Sequence, residues 1–255
     1  MDKIDEILRL IDEEKYEIAV CEGTKYFQLE FSQNGEELII PKHSPIWEME
    51  DSKRLYFYSV AGVYYHFLWL EEYAVAFFRE IWQGTNSLPA QWEYYSKYLM
   101  MYHYLFTSQN KYFQLHLGYN KLFKNIWQFN HDKQMHKQHS KIRIGYLSAD
   151  FNSCVLEDFI GVLTACYNQE DFQIYCFANG KIDDVTEFYQ SCPVDWVDIT
   201  GLNAPDAARA IYSREIDILF DLAGHTRLIC LFWHISQLLY KCVGLVILQL
   251  LVWIE

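Results

Sequence analysis

The first residues set a helical rhythm. Ile4, Ile7, Leu8 and Ile11 recur at i, i+3, i+4 and i+7 and draw one apolar stripe on a short helix. Glu14 to Phe27 continues in the same manner. "SQNGEELIIP" (Ser32–Pro41) interrupts it with an Asn34-Gly35 turn signal and predicts a short strand. Two aromatic-rich segments follow, Lys53–Trp82 and Ala90–Leu105, with Gly84 and Pro89 bracketing a turn between them. Helices so rich in Tyr, Phe and Trp are expected to bury more than one face.

Such helical hairpins occur in tetratricopeptide arrays. The consensus of that roughly 34-residue repeat is not found, so 1–130 reads simply as a helical region. "NHDKQMHKQHS" (Asn130–Ser140) breaks the composition and predicts a linker at 131–140. Its three histidines, His131, His136 and His139, match no standard zinc spacing, and no metal is expected.

After Lys141 the period changes. "KIRIGYLSADF" alternates and is β-branched, so it predicts a strand ending near Ala149. "LEDFIGVLTACYN" reads as a helix, "DFQIYCFAN" as a strand, "DDVTEFYQSC" as a helix and "VDWVDIT" as a short strand. "NAPDAARAIYSREI" reads as a helix with Pro205 in its first turn, and "IDILFDLAG" as a nearly continuous apolar strand. This alternation predicts βαβ units, a parallel sheet and an α/β fold, with the last strand covered on both faces. Ligands in such sheets sit beyond the carboxyl ends of strands. The ends of interest are therefore Ser148–Phe151, Asn179-Gly180 and Gly224-His225-Thr226.

Composition narrows the function. The chain of 255 residues is 51% hydrophobic and 18% aromatic, enough apolar surface to offset the entropy of ordering. A formal net charge of −13 argues against a nucleic-acid surface, which needs clustered Lys and Arg. The 7 cysteines are scattered with no CxxC pair, which suits reduced thiols. The charged, amphipathic start "MDKIDEILRL" is unlike a signal peptide. Together these predict a cytoplasmic protein.

The segments "KIRIGYLSADF", "FQIYCFAN", "VDWVDITGL", "APDAARAI" and "IDILFDLAGHT" resemble, in order and spacing, the first lobe of the catalytic region of O-GlcNAc transferases and the SPINDLY-like group. The resemblance covers 141–226. It implies a Rossmann-like half of a GT-B glycosyltransferase, preceded by the mostly α-helical region. It also implies transfer of a sugar from a nucleotide donor such as UDP-GlcNAc to Ser or Thr hydroxyls of a protein acceptor, with inversion and without a required metal or other cofactor. Donor binding belongs mainly to the second lobe. By the same resemblance Asp150, Gly224 and Thr226 are candidate substrate-binding residues, and His225 a candidate catalytic one. Cys154 stands where many relatives have a histidine; it is a poor hydrogen-bonding replacement for imidazole. As a nucleophile it has no activating His nearby in sequence.

The final stretch departs from the family altogether. After Thr226 the chain reads "RLICLFWHISQLLYKCVGLVILQLLVWIE". Read one nucleotide earlier, the codons permitted by His234 to Glu255 can spell the family's next motifs, PAPVQV and WLGY, without a gap. The expectation is a frameshift at or just after the Gly224-His225-Thr226 loop, leaving 227–255 an out-of-frame tail. A membrane anchor fits less well. Ile229–Ile254 is long enough, but Lys241 falls in mid-segment at a cost of roughly 2.5–3.5 kcal/mol. A buried element of an intact fold fits less well too. The chain is thus expected to be catalytically inactive alone, and a non-catalytic protein-interaction module is the alternative.

Overall fold

A computed structural model describes residues 2–105, 107–126, 129, 139–154, 156–225 and 240–243. The chain divides into two compact units, Met1–Lys124 and Asn125–Glu255.

The first unit is helical: α1 (Lys3–Asp12), α2 (Tyr16–Tyr26), α3 (Asp51–Phe67), α4 (Glu71–Gly84), α5 (Leu88–His103) and α6 (Gln109–Asn120). A two-stranded antiparallel ribbon, β1 (Glu30–Phe31) and β2 (Leu38–Ile39), closes around the Asn34-Gly35 turn. On α1 the buried stripe is Ile4, Ile7, Leu10 and Ile11, so Leu10 takes the place expected of Leu8. Glu14, at φ 60, ends that helix and separates it from α2. The aromatic-rich segment from Lys53 to Trp82 falls in two helices, α3 and α4. Trp69, at φ 58, turns the chain between α3 and α4, and its N–H donates to the His66 carbonyl at 3.0 Å. Aromatic rings fill the interior. Phe57 lies edge-on to Phe27 at 5.2 Å, and Trp82 stacks on Tyr95 at 4.3 Å. Gly23 on α2 lets this happen, because a Cβ there would lie 2.4 Å from the Phe57 ring.

The second unit is a doubly wound sheet. Its elements are β3 (Ile142–Ser148), α7 (Glu157–Ala165), β4 (Phe172–Ala178), α8 (Asp184–Ser191), β5 (Asp195–Asp198), α9 (Ala204–Tyr212), β6 (Ile218–Asp221) and β7 (Tyr240–Val243). Strand order is β5-β4-β3-β6-β7, and every pairing is parallel. The winding reverses between β3 and β6. Side chains alternate along β3. Tyr146 joins Ile160, Ile174 and Tyr189 on the face of α7 and α8, while Leu147 joins Phe177, Ile211 and Leu219 on the face of α9. The helices are capped by their own sequence: Asn203 accepts the Asp206 N–H at 2.9 Å at the start of α9, with Pro205 in the first turn. Phe129, ahead of the sheet, stacks on Tyr212 at 4.5 Å.

β7 departs from expectation. Four residues of the segment set aside as an out-of-frame tail extend the sheet, Tyr240 opposite Ile218 through Val243 opposite Asp221. An open edge such as that of β6 offers backbone groups to any extended segment, whatever its side chains. Strand pairing therefore does not decide the reading frame. The rest of 227–255 lies outside the described residues, as do His131 and His136. His139 is described and pairs with Glu215 at 3.6 Å.

Candidate functional site

Pairing carries on past the strand ends. The Leu222 N–H donates to the Leu147 carbonyl, Asn179 to Ser148 and Ile199 to Ala178, each at 2.9 Å. The loops after β3, β4, β5 and β6 are therefore tied side by side along one edge of the sheet. The tightest approach is at Gly180, where a Cβ would meet the Ala149 carbonyl oxygen at 1.9 Å. Only glycine fits there, since the obstruction is backbone.

The β3 loop turns on hydrogen bonds. The hydroxyl of Ser148, fully buried, accepts the Asp150 N–H at 2.9 Å. Asn152 donates its side-chain amide to the Ala149 carbonyl at 3.3 Å. The Cys154 thiol donates to the Asp150 carbonyl at 3.2 Å and is exposed. That contact engages the thiol with a backbone acceptor, not with a base. Beside this loop, Ser148, Phe151, Gly180, Lys181, Trp196 and Thr200 line a small crevice at the ends of β3, β4 and β5.

The β6 loop is shaped by a residue that sequence reasoning did not single out. Asp221, 4% exposed, accepts the N–H groups of Ala223 and Gly224 on one oxygen, both at 2.9 Å. Gly224 takes φ 54, the left-handed region. Burial pushes the Asp221 carboxyl above the usual carboxylate range, and the two amides oppose that shift. The sequence signal was there: an Asp at a strand end two residues before Ala-Gly is an Asx-turn former.

Of the predicted site residues, the structure places Asp150 and Cys154 after β3, and Gly224 and His225 after β6. Thr226 lies outside the described residues. Leu147 is opposite Asp221 in register, so the two motif-bearing loops leave neighbouring strands at the switch point. At the three strand ends of interest Lys181 is the cationic side chain among the described residues. No group of three or more His, Cys, Asp or Glu able to hold a metal occurs among the described residues. No helix among them is long and apolar enough to cross a membrane.

The pattern of glycosyl transferase family 41 matches residues 86–229 of the chain. The match begins well before β3, within the helical unit, and stops three residues after Thr226. The chain is 29% identical over 90 residues to the probable UDP-N-acetylglucosamine–peptide N-acetylglucosaminyltransferase SEC of Arabidopsis thaliana, covering 34% of this chain and 9% of that protein. It is similar in fold to a mutant O-GlcNAc transferase of Thermobaculum terrenum, with a TM-score of 0.60 and 16% identity over 75% of this chain and 36% of that one. The chain thus spans well under half the length of either relative.

Proposed function

Because the chain belongs to glycosyl transferase family 41, we propose that residues 141–226 form the first lobe of a protein O-GlcNAc transferase, and that this lobe is inactive alone. The observation that carries the reading is the register of β3 with β6. It brings the "IGYLSADF" and "DLAGHT" loops, about seventy residues apart in sequence, onto adjacent strand ends at the point where the sheet reverses.

In this reading the two loops line the cleft that a second lobe completes. The imidazole of His225 and the carboxylate of Asp150 face the acceptor hydroxyl and the sugar. Gly224 gives the backbone room to approach, and Thr226 supplies a hydroxyl. Cys154 takes the place of the family histidine and contributes a weak hydrogen-bond donor where an imidazole would exchange protons. The nucleotide diphosphate needs helix N-termini and cations. Of cations, the described strand ends supply only Lys181. Held by one lobe only, the donor lacks the groups that stabilise its departing diphosphate. The tail from Arg227 is, on this reading, the frame-shifted remnant of the family's next motifs; the family match ends at residue 229, three residues into it.

Two measurements test the proposal. Purified chain incubated with UDP-GlcNAc and an acceptor protein is expected to transfer no N-acetylhexosamine detectable by mass spectrometry; transfer would overturn the claim of inactivity. Nucleotide sequence across codons 227–255 is expected to encode PAPVQV and WLGY one frame back. Codons that cannot do so remove the frameshift.

A further inference from the structure

The β3–α7 loop is held from outside itself. The first turn of α8, some thirty residues on, grips it at two points. Asp183 caps α8 with Oδ1, which accepts the N–H groups of Val185 at 3.1 Å and Thr186 at 3.0 Å. Its other oxygen, Oδ2, accepts the Ser153 N–H at 2.8 Å, across 30 positions of sequence. Thr186, 1% exposed, accepts the Asp183 N–H on its hydroxyl at 3.1 Å and donates the hydroxyl proton to the Phe151 carbonyl at 2.7 Å. Between these points the Phe151 ring lies edge-on to Tyr189 of α8 at 5.3 Å and to Trp196 of β5 at 5.5 Å.

A helix cap needs one oxygen, and Ser or Asn serves as well as Asp. The second carboxylate oxygen of Asp183 is surplus to the cap and is spent on the loop. We propose that Asp183, with Thr186, is a positioning residue that latches the turn from Phe151 to Ser153 and so fixes how Asp150 and Cys154 are presented at the end of β3. Its relevance to transfer rests on the reading of that turn as part of the cleft. The latch is measurable without any transfer, so the two fail separately. Of the influences on the Asp183 carboxyl, the Ser153 amide is the largest, and together they hold its pKa below the usual value.

The test uses the full chain and the variants Asp183→Asn and Asp183→Ser. Both keep a cap acceptor, and neither keeps a second oxygen for Ser153. The readouts are amide exchange at Ser153 by NMR and iodoacetamide alkylation of Cys154, with the exposed Cys166 as internal reference. Loss of one charge-assisted hydrogen bond corresponds to about a tenfold shift in the loop's opening equilibrium. Ser153 exchange is therefore expected to quicken about tenfold, and Cys154 alkylation to change with it, while Cys166 alkylation stays as in the parent chain and the melting temperature falls by no more than about 3–6 °C. Thr186→Val, nearly isosteric, is expected to give the same signature through Phe151. Unchanged Ser153 exchange and Cys154 alkylation in both Asp183 variants would overturn the latch. So would an increase shared by Cys166 and the other amides of the sheet unit, which would mean a lost helix cap and nothing more.

Discussion

Replacing Gly180 by Ala tests the packing of the strand ends at its tightest point. The new Cβ would be placed 1.9 Å from the Ala149 carbonyl oxygen, where an ordinary C···O contact is about 3.3 Å. The obstruction is main chain, so no rotamer change relieves it. The ends of β3 and β4 must part by more than about 1 Å, and the adjacent Asn179 N–H to Ser148 carbonyl bond, now 2.9 Å, is pulled past hydrogen-bonding range. Overpacking strain of about 1–3 kcal/mol and a lost hydrogen bond of about 1 kcal/mol give about 2–4 kcal/mol of destabilisation. At roughly 2–4 °C per kcal/mol, the melting temperature of the sheet unit should fall by about 5–15 °C by calorimetry. Gly161→Ala is the control. There the added Cβ meets the Phe188 ring at an ordinary 3.6 Å, and the helical site should gain up to about 1 kcal/mol. Equal melting temperatures for the two variants, or an unchanged one for Gly180→Ala, would refute the steric argument.

Substitutions at three further sites probe polar groups in the interior. Asp221→Ala leaves the Ala223 and Gly224 amides without their acceptor and should cost about 1–3 kcal/mol, read as a lower urea midpoint; Asp221→Asn should cost less, since its carbonyl keeps the acceptor. The His66 ring nitrogen lies 2.9 Å from both oxygens of Glu71, itself buried in the first turn of α4. His66→Ala removes that partner from the buried Glu71 carboxyl and should destabilise the helical unit by about 1–3 kcal/mol, with recovery in the double variant His66→Ala/Glu71→Gln. Burial, with a smaller contribution from His103, lowers the His116 pKa to about 4. A histidine held neutral by folding contributes stability that is complete above its ordinary value of about 6.5 and is lost as the pH falls from there towards 4. The loss is about 3 kcal/mol. Urea midpoints measured from pH 7 to 4 should fall more steeply for the parent chain than for His116→Phe, and parallel curves would contradict the burial.

Much of the sheet unit is legible in the sequence because a doubly covered strand must be apolar on both faces and each helix carries its own start signal. "IDILF" and the Asn203-x-Pro205 entry to α9 announce themselves in this way. The helical unit is harder. An unbroken aromatic run from Lys53 to Trp82 contains no Gly or Pro where the chain turns, and the turn is made by Trp69 in a left-handed conformation. α6 escapes notice because it has no apolar stripe and buries only Tyr119 among its described side chains. At the site, the motifs identify which strand ends matter. The Asp221 turn and the Asp183–Ser153 bond stay hidden, because each depends on where folding brings a carboxylate, and the second spans 30 positions. The family match from residue 86 also joins α5 and α6 to the region that resembles the transferases. Periodicity alone puts no boundary there.

The central claim, one lobe of a transferase whose remainder lies in another frame, has a direct test. The parent chain and a version with the frame restored by one nucleotide and translated through the downstream sequence are assayed together for transfer from UDP-GlcNAc to an acceptor protein. N-acetylhexosamine is expected on Ser or Thr with the restored protein and none with the parent. Transfer by the parent chain, or an inert restored protein that is folded, would contradict that claim.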